Sequence, residues 1–274
     1  MTLATPLWLF WEGPCPPYIQ LCVRTILRHH PDAILLDRAG FERMRTTDRA
    51  LSLDDLSLNH LSDYVRAWLL AHHGGFYVDA DCILLRPLGL LFEMAAVHGF
   101  VGYREPQGYM SCNFMGATPG SRVAAQHYAR VAARLREGGR LKWLDLASVP
   151  MDQAIAAAGE GALLLPTTSI MPIAWNDSAK LLLRRDDAEH AAHFPAASWC
   201  AMLSNHTIGG DPATRHLVSQ GERSLLADRS FLAFLLRRGL GLPDLQPTIT
   251  DPARLAGGAS GPRLDVRIRP QRPG

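Results

Sequence analysis

A hydrophobic strand that ends in two acidic residues constrains the fold of this chain more than any other segment. Gly74 and Gly75 are followed by Phe-Tyr-Val and then by Asp79, Ala80 and Asp81. Side chains alternate faces on an extended backbone, so we expect both carboxylates to point the same way. Such hard oxygen ligands suit Mg²⁺ or Mn²⁺ better than zinc. The segment predicts a divalent metal site at a strand end; the alternative for a lone Asp-x-Asp is a solvated turn.

The residues before this strand predict a helix. Leucine, valine and tryptophan side chains recur at three- and four-residue spacing over residues 56–69. Asp54, Asp55 and Ser57 offer N-terminal caps, and Gly74 suits a helix end that needs a positive φ. Asp63 and Arg66 then lie next to each other on one helix face. From local sequence alone, this pair is a surface ion pair worth about 0.3–0.5 kcal/mol.

The order of these residues resembles the core of the family 32 glycosyltransferases. That family includes capsular polysaccharide enzymes and yeast-type initiating mannosyltransferases, and its core is similar to that of the large clostridial glucosylating toxins. The resemblance implies a GT-A fold, an α/β architecture with a Rossmann-like, mostly parallel sheet and helices on both faces. The matching residues are Ser62, Asp63, Arg66, Gly74, Gly75, Tyr77, Asp79 and Asp81, followed by Arg86-Pro87-Leu88.

The resemblance also implies roles for these residues. Asp79 and Asp81 would hold Mn²⁺ or Mg²⁺ on the diphosphate of a UDP- or GDP-hexose, and the dication would stabilise the charge of the leaving group. Asp63 and Arg66 would bind hydroxyls of the donor sugar and act in catalysis. Transfer to a carbohydrate or glycoconjugate hydroxyl would retain the anomeric configuration. The nucleotide sugar would contact Trp11, Ser62, Asp63, Arg66, Tyr77 and Asp79.

Trp11 is the candidate for stacking on the nucleotide base. It closes a short apolar run, residues 7–11, that predicts a buried first strand ending in a turn at Glu12-Gly13-Pro14. Ligands of open α/β sheets bind beyond the carboxyl ends of the strands. The resembling family has a Trp at the corresponding place. The alternative is that Trp11 fills the core.

Two further site residues come from the second half of the chain. Asp152-Gln153 is similar to an acidic segment that several GT-A enzymes place under the transferred sugar, so Asp152 is the acceptor-side catalytic candidate. Its alternative is an N-cap for a helix from Gln153 to Ala158. His206 is the candidate third metal ligand. In the resembling family a Ser-Trp pair follows the histidine, whereas here Ser198-Trp199 precedes it.

Strand and helix patterns alternate along the chain, which favours a largely parallel sheet covered on both faces. We expect further strands at 33–36, 100–103 and 113–116, and helices at 18–30 and 121–136. The chain has 274 residues and is 47% hydrophobic, enough for one large domain over residues 1–250. The five cysteines are widely spaced, which favours neither a disulfide framework nor a zinc site.

The charge distribution sets residues 251–274 apart. This segment has five arginines against two aspartates, while the net charge of the whole chain is only +2. With its glycines and prolines it predicts a flexible basic tail, either a frayed terminus or a contact for anionic lipid head groups. The rest of the chain is not basic, which argues against nucleic-acid binding. No long apolar run or charged leader is present, so we expect a cytoplasmic enzyme, peripheral to the membrane if the tail binds lipid.

Two other functions compete with glycosyl transfer. A metal-dependent nucleotide-sugar hydrolase or nucleotidyltransferase would use the same acidic pair with water or pyrophosphate in place of the acceptor. A non-catalytic carbohydrate-binding subunit would keep the fold without turnover. The presence of Asp63, Arg66, Asp79 and Asp81 together argues against the second.

Overall fold

The computed structural model describes residues 5–159 and 161–245. Most of its strands lie where the apolar runs predict them. The described residues contain eight strands: β1 Leu7–Phe10, β2 Ile34–Leu36, β3 Gly75–Val78, β4 Cys82–Leu84, β5 Phe100–Arg104, β6 Met110–Ala117, β7 Leu163–Leu165 and β8 Cys200–Met202.

Six of these strands form one sheet, in the order β2-β1-β3-β6-β5-β7. Strand β1 is parallel to β2 and β3, and β5 is parallel to β7. Strand β6 runs antiparallel to both of its neighbours, β3 and β5, so it is the single reversed strand of the sheet. The expected α/β fold with a mostly parallel sheet is confirmed. As a result, the carboxyl ends of β1, β3, β5 and β7 meet at one edge. Strands β4 and β8 form a separate antiparallel pair.

Helices connect the strands, and the two long helices predicted from the sequence at 18–30 and 121–136 are confirmed. Ser57 caps the helix before β3, since its side chain accepts a hydrogen bond from the amide of His60. Two 3₁₀ segments cover Trp175–Leu182 and Arg215–Val218. The α-helices are α1 Pro17–His29, α2 Arg38–Met44, α3 Leu58–His73, α4 Gly89–His98, α5 Arg122–Glu137, α6 Ser148–Ala158, α7 Thr167–Ile170, α8 Asp187–His193, α9 Asn205–Gly210, α10 Glu222–Ala227 and α11 Phe231–Leu240.

The sheet separates two hydrophobic clusters, one on each face. Along β1, Leu7 and Leu9 belong to one cluster and Trp8 and Phe10 to the other, as the two-residue period of a strand requires. Helices α1, α4 and α11 cover the first face, and α2, α3, α5 and α6 cover the second. Helices therefore lie on both faces, as the sequence predicts.

A double glycine joins α3 to β3 and sets where β3 begins. Gly74 and Gly75 have φ values of 64° and 100°, which L side chains rarely adopt. A Cβ on Gly75 would come within 2.3 Å of the carbonyl oxygen of Pro6. The indole nitrogen of Trp8 donates to the carbonyl of Gly74 at 2.9 Å. The helix can therefore stop abruptly and let β3 begin directly beside β1.

Three expectations concern features away from the sheet. All five cysteines are free thiols. Within the two ranges described here, no helix is long and apolar enough to span a bilayer. The basic segment 251–274 lies outside the described residues.

Candidate active site

The acidic pair lies in a turn at the carboxyl end of β3. The amide of Asp79 donates to the carbonyl of Asn113 in β6 at 2.9 Å, and the amide of Cys82 then donates back to the carbonyl of Asp79 at 3.1 Å. The expectation of an extended backbone through Asp81 is wrong, because the chain leaves the main sheet here so that β4 can pair with β8. The two carboxylates still interact, since burial and then the charge of Asp79 raise the pKa of Asp81.

Arg66 connects α3 to this turn. Its Nη2 atom lies 3.1 Å from Oδ1 of Asp79 and 3.6 Å from Oδ1 of Asp63. The same atom donates to Oγ of Ser62 at 2.7 Å, and the guanidinium lies 5.1 Å from the centre of the Tyr77 ring. The side chains of Arg66 and Asp63 are only 9% and 8% exposed. The surface ion pair that local sequence allowed is therefore wrong: the pair is buried and belongs to the site.

Negative charge exceeds positive charge in this cluster. Burial lowers the pKa of Arg66. Asp79, Tyr77 and Asp63 raise this pKa by more than burial lowers it, so the guanidinium stays charged. Burial raises the pKa of Asp63 to about 6, against the opposing effect of Arg66. Burial and then Asp79 raise the pKa of Asp81 to about 7. Three carboxylates thus compete for one guanidinium, and an added cation would stabilise their ionised forms.

Asp81 is held from the other side by the start of α9. The amide of Asn205 donates to Oδ2 of Asp81 at 2.8 Å, and the amide of Leu203 donates to the Asp81 carbonyl at 3.2 Å. The hydroxyl of Tyr18 donates to the side-chain oxygen of Asn205. Sequence reasoning did not select Asn205, although it directly precedes His206. Through this contact β8 and α9, which are distant in sequence from β3, become part of the candidate site.

His206 lies beside the acidic turn. Its ring centre is 5.2 Å from that of Trp143, and its neighbour Asn205 is the residue that contacts Asp81. In residues 5–159 and 161–245, no group of three His, Cys, Asp or Glu side chains is close enough to hold a metal ion. The role of His206 as a third metal ligand stays a prediction.

Trp11 follows β1 at the same sheet edge as the acidic turn. Its indole nitrogen donates to the carbonyl of Pro14 at 3.3 Å, and its amide donates to the carbonyl of Leu36 at 2.9 Å. The side chain is half-buried and packs on one of the two core clusters. Packing accounts for part of this ring, and stacking on a nucleotide base stays a prediction.

Asp152 lies at the same edge of the sheet, because its side chain contacts the last residue of β5. Its carboxylate accepts a hydrogen bond from Nη1 of Arg104, the last residue of β5, at 2.6 Å. The N-cap alternative is wrong, because α6 already begins at Ser148 and contains Asp152. Pro150 does not delay the start, since amides in the first helical turn have no intrahelical acceptor to lose. The catalytic role of Asp152 stays a prediction.

Asn113 is a site residue that sequence reasoning missed. Its side-chain oxygen accepts hydrogen bonds from the hydroxyls of Tyr103 at 2.8 Å and Ser111 at 2.9 Å. Its carbonyl accepts the amide of Asp79. A polar amide directly before the apolar end of β6 was the available signal, because such a residue needs partners when it is enclosed.

The comparison with protein families agrees with these motifs. A family model described as "Glycosyltransferase sugar-binding region containing DXD motif" matches residues 16–98. This stretch includes Ser62, Asp63, Arg66, Asp79 and Asp81. The resemblance inferred from the motifs is confirmed over these residues, and the enzyme class that it implies, a glycosyltransferase, is confirmed with it. No curated protein matches the chain.

Three glycosyltransferases are among the similar solved structures. The PaToxG glycosyltransferase is 16% identical with a TM-score of 0.41, and the match covers 56% of this chain and 69% of that chain. The bifunctional WbbM enzyme is 11% identical with a TM-score of 0.42, over 61% and 40% of the two chains. The galactosyltransferase LgtC, in complex with donor and acceptor sugar analogues, is 10% identical with a TM-score of 0.44, over 88% and 97%. All three scores are below 0.5, so these likenesses are distant.

Proposed function

Because residues 16–98 are a glycosyltransferase sugar-binding region containing a DXD motif, we propose that this protein transfers a hexose from a UDP- or GDP-sugar to a carbohydrate or glycoconjugate hydroxyl, with retention of anomeric configuration. One observation carries the proposal. Arg66 is buried between α3 and the acidic turn, where it contacts both Asp63 and Asp79. A cationic donor and an acidic pair thereby share one sheet edge, the edge at which α/β proteins bind ligands.

The acidic turn fits a hard divalent cation. Asp79 and Asp81 supply carboxylate oxygens, and burial raises the pKa of both, which is the expected state of two close carboxylates without a sufficient counter-charge. Mg²⁺ sites commonly use one or two carboxylates and take their other ligands from phosphates and water. Bound there, Mn²⁺ or Mg²⁺ would supply Lewis-acid stabilisation of the nucleoside diphosphate leaving group.

Arg66 and Asp63 are suited to orient the donor sugar. Nε and Nη2 of Arg66 are engaged by Ser62, Asp63 and Asp79. Among the described residues, no hydrogen bond uses Nη1, so its two N–H groups are free to donate to sugar hydroxyls. Within residues 5–159 and 161–245, the Asp63 side chain makes only the ion pair with Arg66, so its carboxylate keeps acceptor capacity. Together they offer a donor and an acceptor at fixed positions.

Retention needs no separate general base in this proposal, since the departing phosphate can accept the proton of the acceptor hydroxyl. Asp152 would act on the acceptor side. Its ion pair with Arg104 holds the carboxylate at the end of β5, on the edge that the acidic turn occupies. In that place it can orient an acceptor hydroxyl without taking its proton.

Release of nucleoside diphosphate from a panel of UDP- and GDP-sugars tests the proposal. We expect one donor to give release that requires Mn²⁺, is lost on chelation and falls by more than about 100-fold in Asp81→Asn. Asp54→Asn is the matched control, because Asp54 is 91% exposed and lies outside the site. Unchanged rates in Asp81→Asn would contradict the proposal. A release rate that does not change with any added acceptor would favour the hydrolase. Metal-independent sugar binding without release would favour the non-catalytic subunit.

The proposal extends to domain organisation and location. Residues 1–250 would form the GT-A domain, and the five arginines of residues 251–274 would contact anionic lipid head groups at the cytoplasmic face of a membrane. The five free cysteines suit a reducing compartment. Co-sedimentation with phosphatidylglycerol vesicles should fall when the five arginines become glutamine. Equal sedimentation of both forms would remove lipid binding from the proposal.

A further inference from the structure

An exposed aromatic side chain lies beside the acidic turn. Trp143 belongs to the connection between α5 and α6, and it is 57% exposed, whereas large aromatic rings are usually well buried. Its ring centre is 5.2 Å from that of His206. The neighbouring Asn205 donates its amide to Asp81 at 2.8 Å. The indole therefore contacts His206, whose neighbour Asn205 contacts Asp81, and its exposed face is open to a ligand.

The connection that carries Trp143 is fixed at several points. Arg134 donates to the carbonyls of Gly138 at 2.7 Å and Arg140 at 2.8 Å. Nε2 of His60, in the first turn of α3, forms a hydrogen bond with the carbonyl of Lys142 at 3.1 Å. The connection thus runs between the start of α3, which carries Asp63 one turn later, and the start of α9. It therefore contacts two elements that carry residues of the candidate site.

Two cations accompany the indole. Arg140, Leu141, Lys142 and Trp143 line a depression of about 440 Å³, a size typical of small-ligand sites, which span about 300–1,000 Å³. In the described part of the chain, no ion pair involves the side chain of Arg140 or Lys142. The carboxylate of this connection, Asp145, binds Arg134 at 3.2 Å and the backbone amide of Lys142 at 3.0 Å. Lys142 acts on Asp145 only through its longer-range charge, so both cations can still pair with a ligand.

We propose that Trp143, Arg140 and Lys142 form the acceptor subsite, in which the indole stacks on a pyranose ring and the two cations bind its anionic group, a carboxylate or a phosphate. This inference rests on the proposed glycosyl transfer. The flat indole face carries partial negative charge and attracts the weakly positive C–H groups of a pyranose. The donor diphosphate is assigned to Asp79 and Asp81, so a separate cationic site calls for a second anionic ligand.

Fluorine NMR of the full chain labelled with 5-fluorotryptophan tests the subsite directly. The chain has six tryptophans, and Trp143→Phe assigns the resonance of interest. The probes are methyl β-glucuronide, methyl β-glucoside 6-phosphate and neutral methyl β-glucoside. We expect the Trp143 signal to shift saturably with at least one anionic probe. The anionic probe with the lower Kd shows whether the subsite prefers a carboxylate or a phosphate. The signal of Trp68, which is 1% exposed, should not move. No shift with either anionic probe at about 50 mM would overturn the proposal.

Variants separate the stacking from the charge. Replacing Arg140 and Lys142 with glutamine should weaken the anionic probe at least about tenfold and leave the neutral probe unchanged, as two lost charge-assisted contacts require. Equal weakening of both probes would contradict the assigned ionic contacts. Trp143→Ala should raise the KM for an anionic acceptor while the Kd of nucleoside diphosphate with Mn²⁺ stays the same. A tenfold loss of nucleoside diphosphate affinity would overturn the proposal, because the ring would then bind the donor base.

The same measurements keep the two proposals distinct. If wild-type protein releases no nucleoside diphosphate from any donor, glycosyl transfer fails whatever the fluorine spectra show. If release occurs and the Trp143 signal does not respond to an anionic sugar, only the acceptor subsite fails. Val97→Ala is the activity control, since Val97 is 79% exposed on α4, away from the donor and acceptor residues.

Discussion

Arg66 and Asp79 form an ion pair at 3.1 Å that joins the middle of α3 to the turn after β3. The Arg66 side chain is 9% exposed and that of Asp79 is 26% exposed, so the pair lies at the boundary between the core and the open edge of the sheet. Breaking such a pair leaves an uncompensated charge in a poorly solvated place. The pair therefore keeps the acidic turn at a fixed distance from Asp63 on α3.

Arg66→Lys should reduce sugar transfer by about 10- to 100-fold and weaken free nucleoside diphosphate binding much less. An ammonium carries the charge but lacks the planar fork that contacts Ser62, Asp63 and Asp79 together. Steady-state rates and calorimetric titration of nucleoside diphosphate measure the two effects. Arg43→Lys, on the short helix α2, is the control substitution. Equal losses in transfer and in nucleotide binding would remove Arg66 from the sugar site.

Asp152→Asn should lower turnover with acceptor while changing stability little. The ion pair with Arg104 joins side chains that are 34% and 40% exposed, and exposed pairs contribute at most about 1 kcal/mol. A lost acceptor contact at the reacting centre costs far more in rate than such a pair contributes to folding. Acceptor-dependent rates and thermal melts should be compared. A large drop in Tm with an unchanged rate would assign Asp152 a structural role.

Gly75→Ala should destabilise the protein strongly. Gly75 has φ of 100°, and the added Cβ would meet the carbonyl oxygen of Pro6 at 2.3 Å. Strain of this kind costs about 1–3 kcal/mol before the clash is counted. Gly108→Ala is a matched control, because Gly108 has φ of 92° and nothing within 4 Å of the new Cβ. Urea denaturation should show the larger loss at Gly75, and equal losses would mean that β3 shifts to relieve the contact.

His127 should make the protein less stable in acid. The ring is 1% exposed, and burial, aided by the nearby Arg66, lowers the pKa of His127 to about 3, against an ordinary 6.5 in the unfolded chain. The unfolded state therefore binds the extra proton first. Stability from the neutral ring is complete above pH 6.5 and is lost as the pH falls from 6.5 toward 3.

The loss should approach about 1.4 kcal/mol per pH unit relative to a chain without this group. His127→Asn removes the titration and keeps a side-chain donor. Urea denaturation of both proteins between pH 7.5 and about pH 5 measures the difference. If the gap between them did not change with pH, the buried ring would not be neutral in the folded state.

Much of the fold was readable from the sequence, because the signals are local. The apolar run before Asp79, the cap at Ser57 and the spacing of Asp63 and Arg66 each depend on residues within a few positions of one another. Period and capping decide such features before any tertiary contact forms. The motif order around them was also sufficient to indicate a glycosyltransferase sugar-binding region.

Only the tertiary structure decided which distant groups meet at the site. The turn at Asp79–Asp81 exists because β4 leaves the sheet to pair with β8, and the amide of Asn205 reaches Asp81 because α9 follows β8. The start of α6 placed Asp152 inside a helix, next to Arg104. No local pattern specifies these partners, since a buried charge accepts any complementary group that the folded topology brings within hydrogen-bonding distance. By itself the sequence determined most of the strands, the long helices and the acidic motif, and packing between distant segments determined the geometry around them.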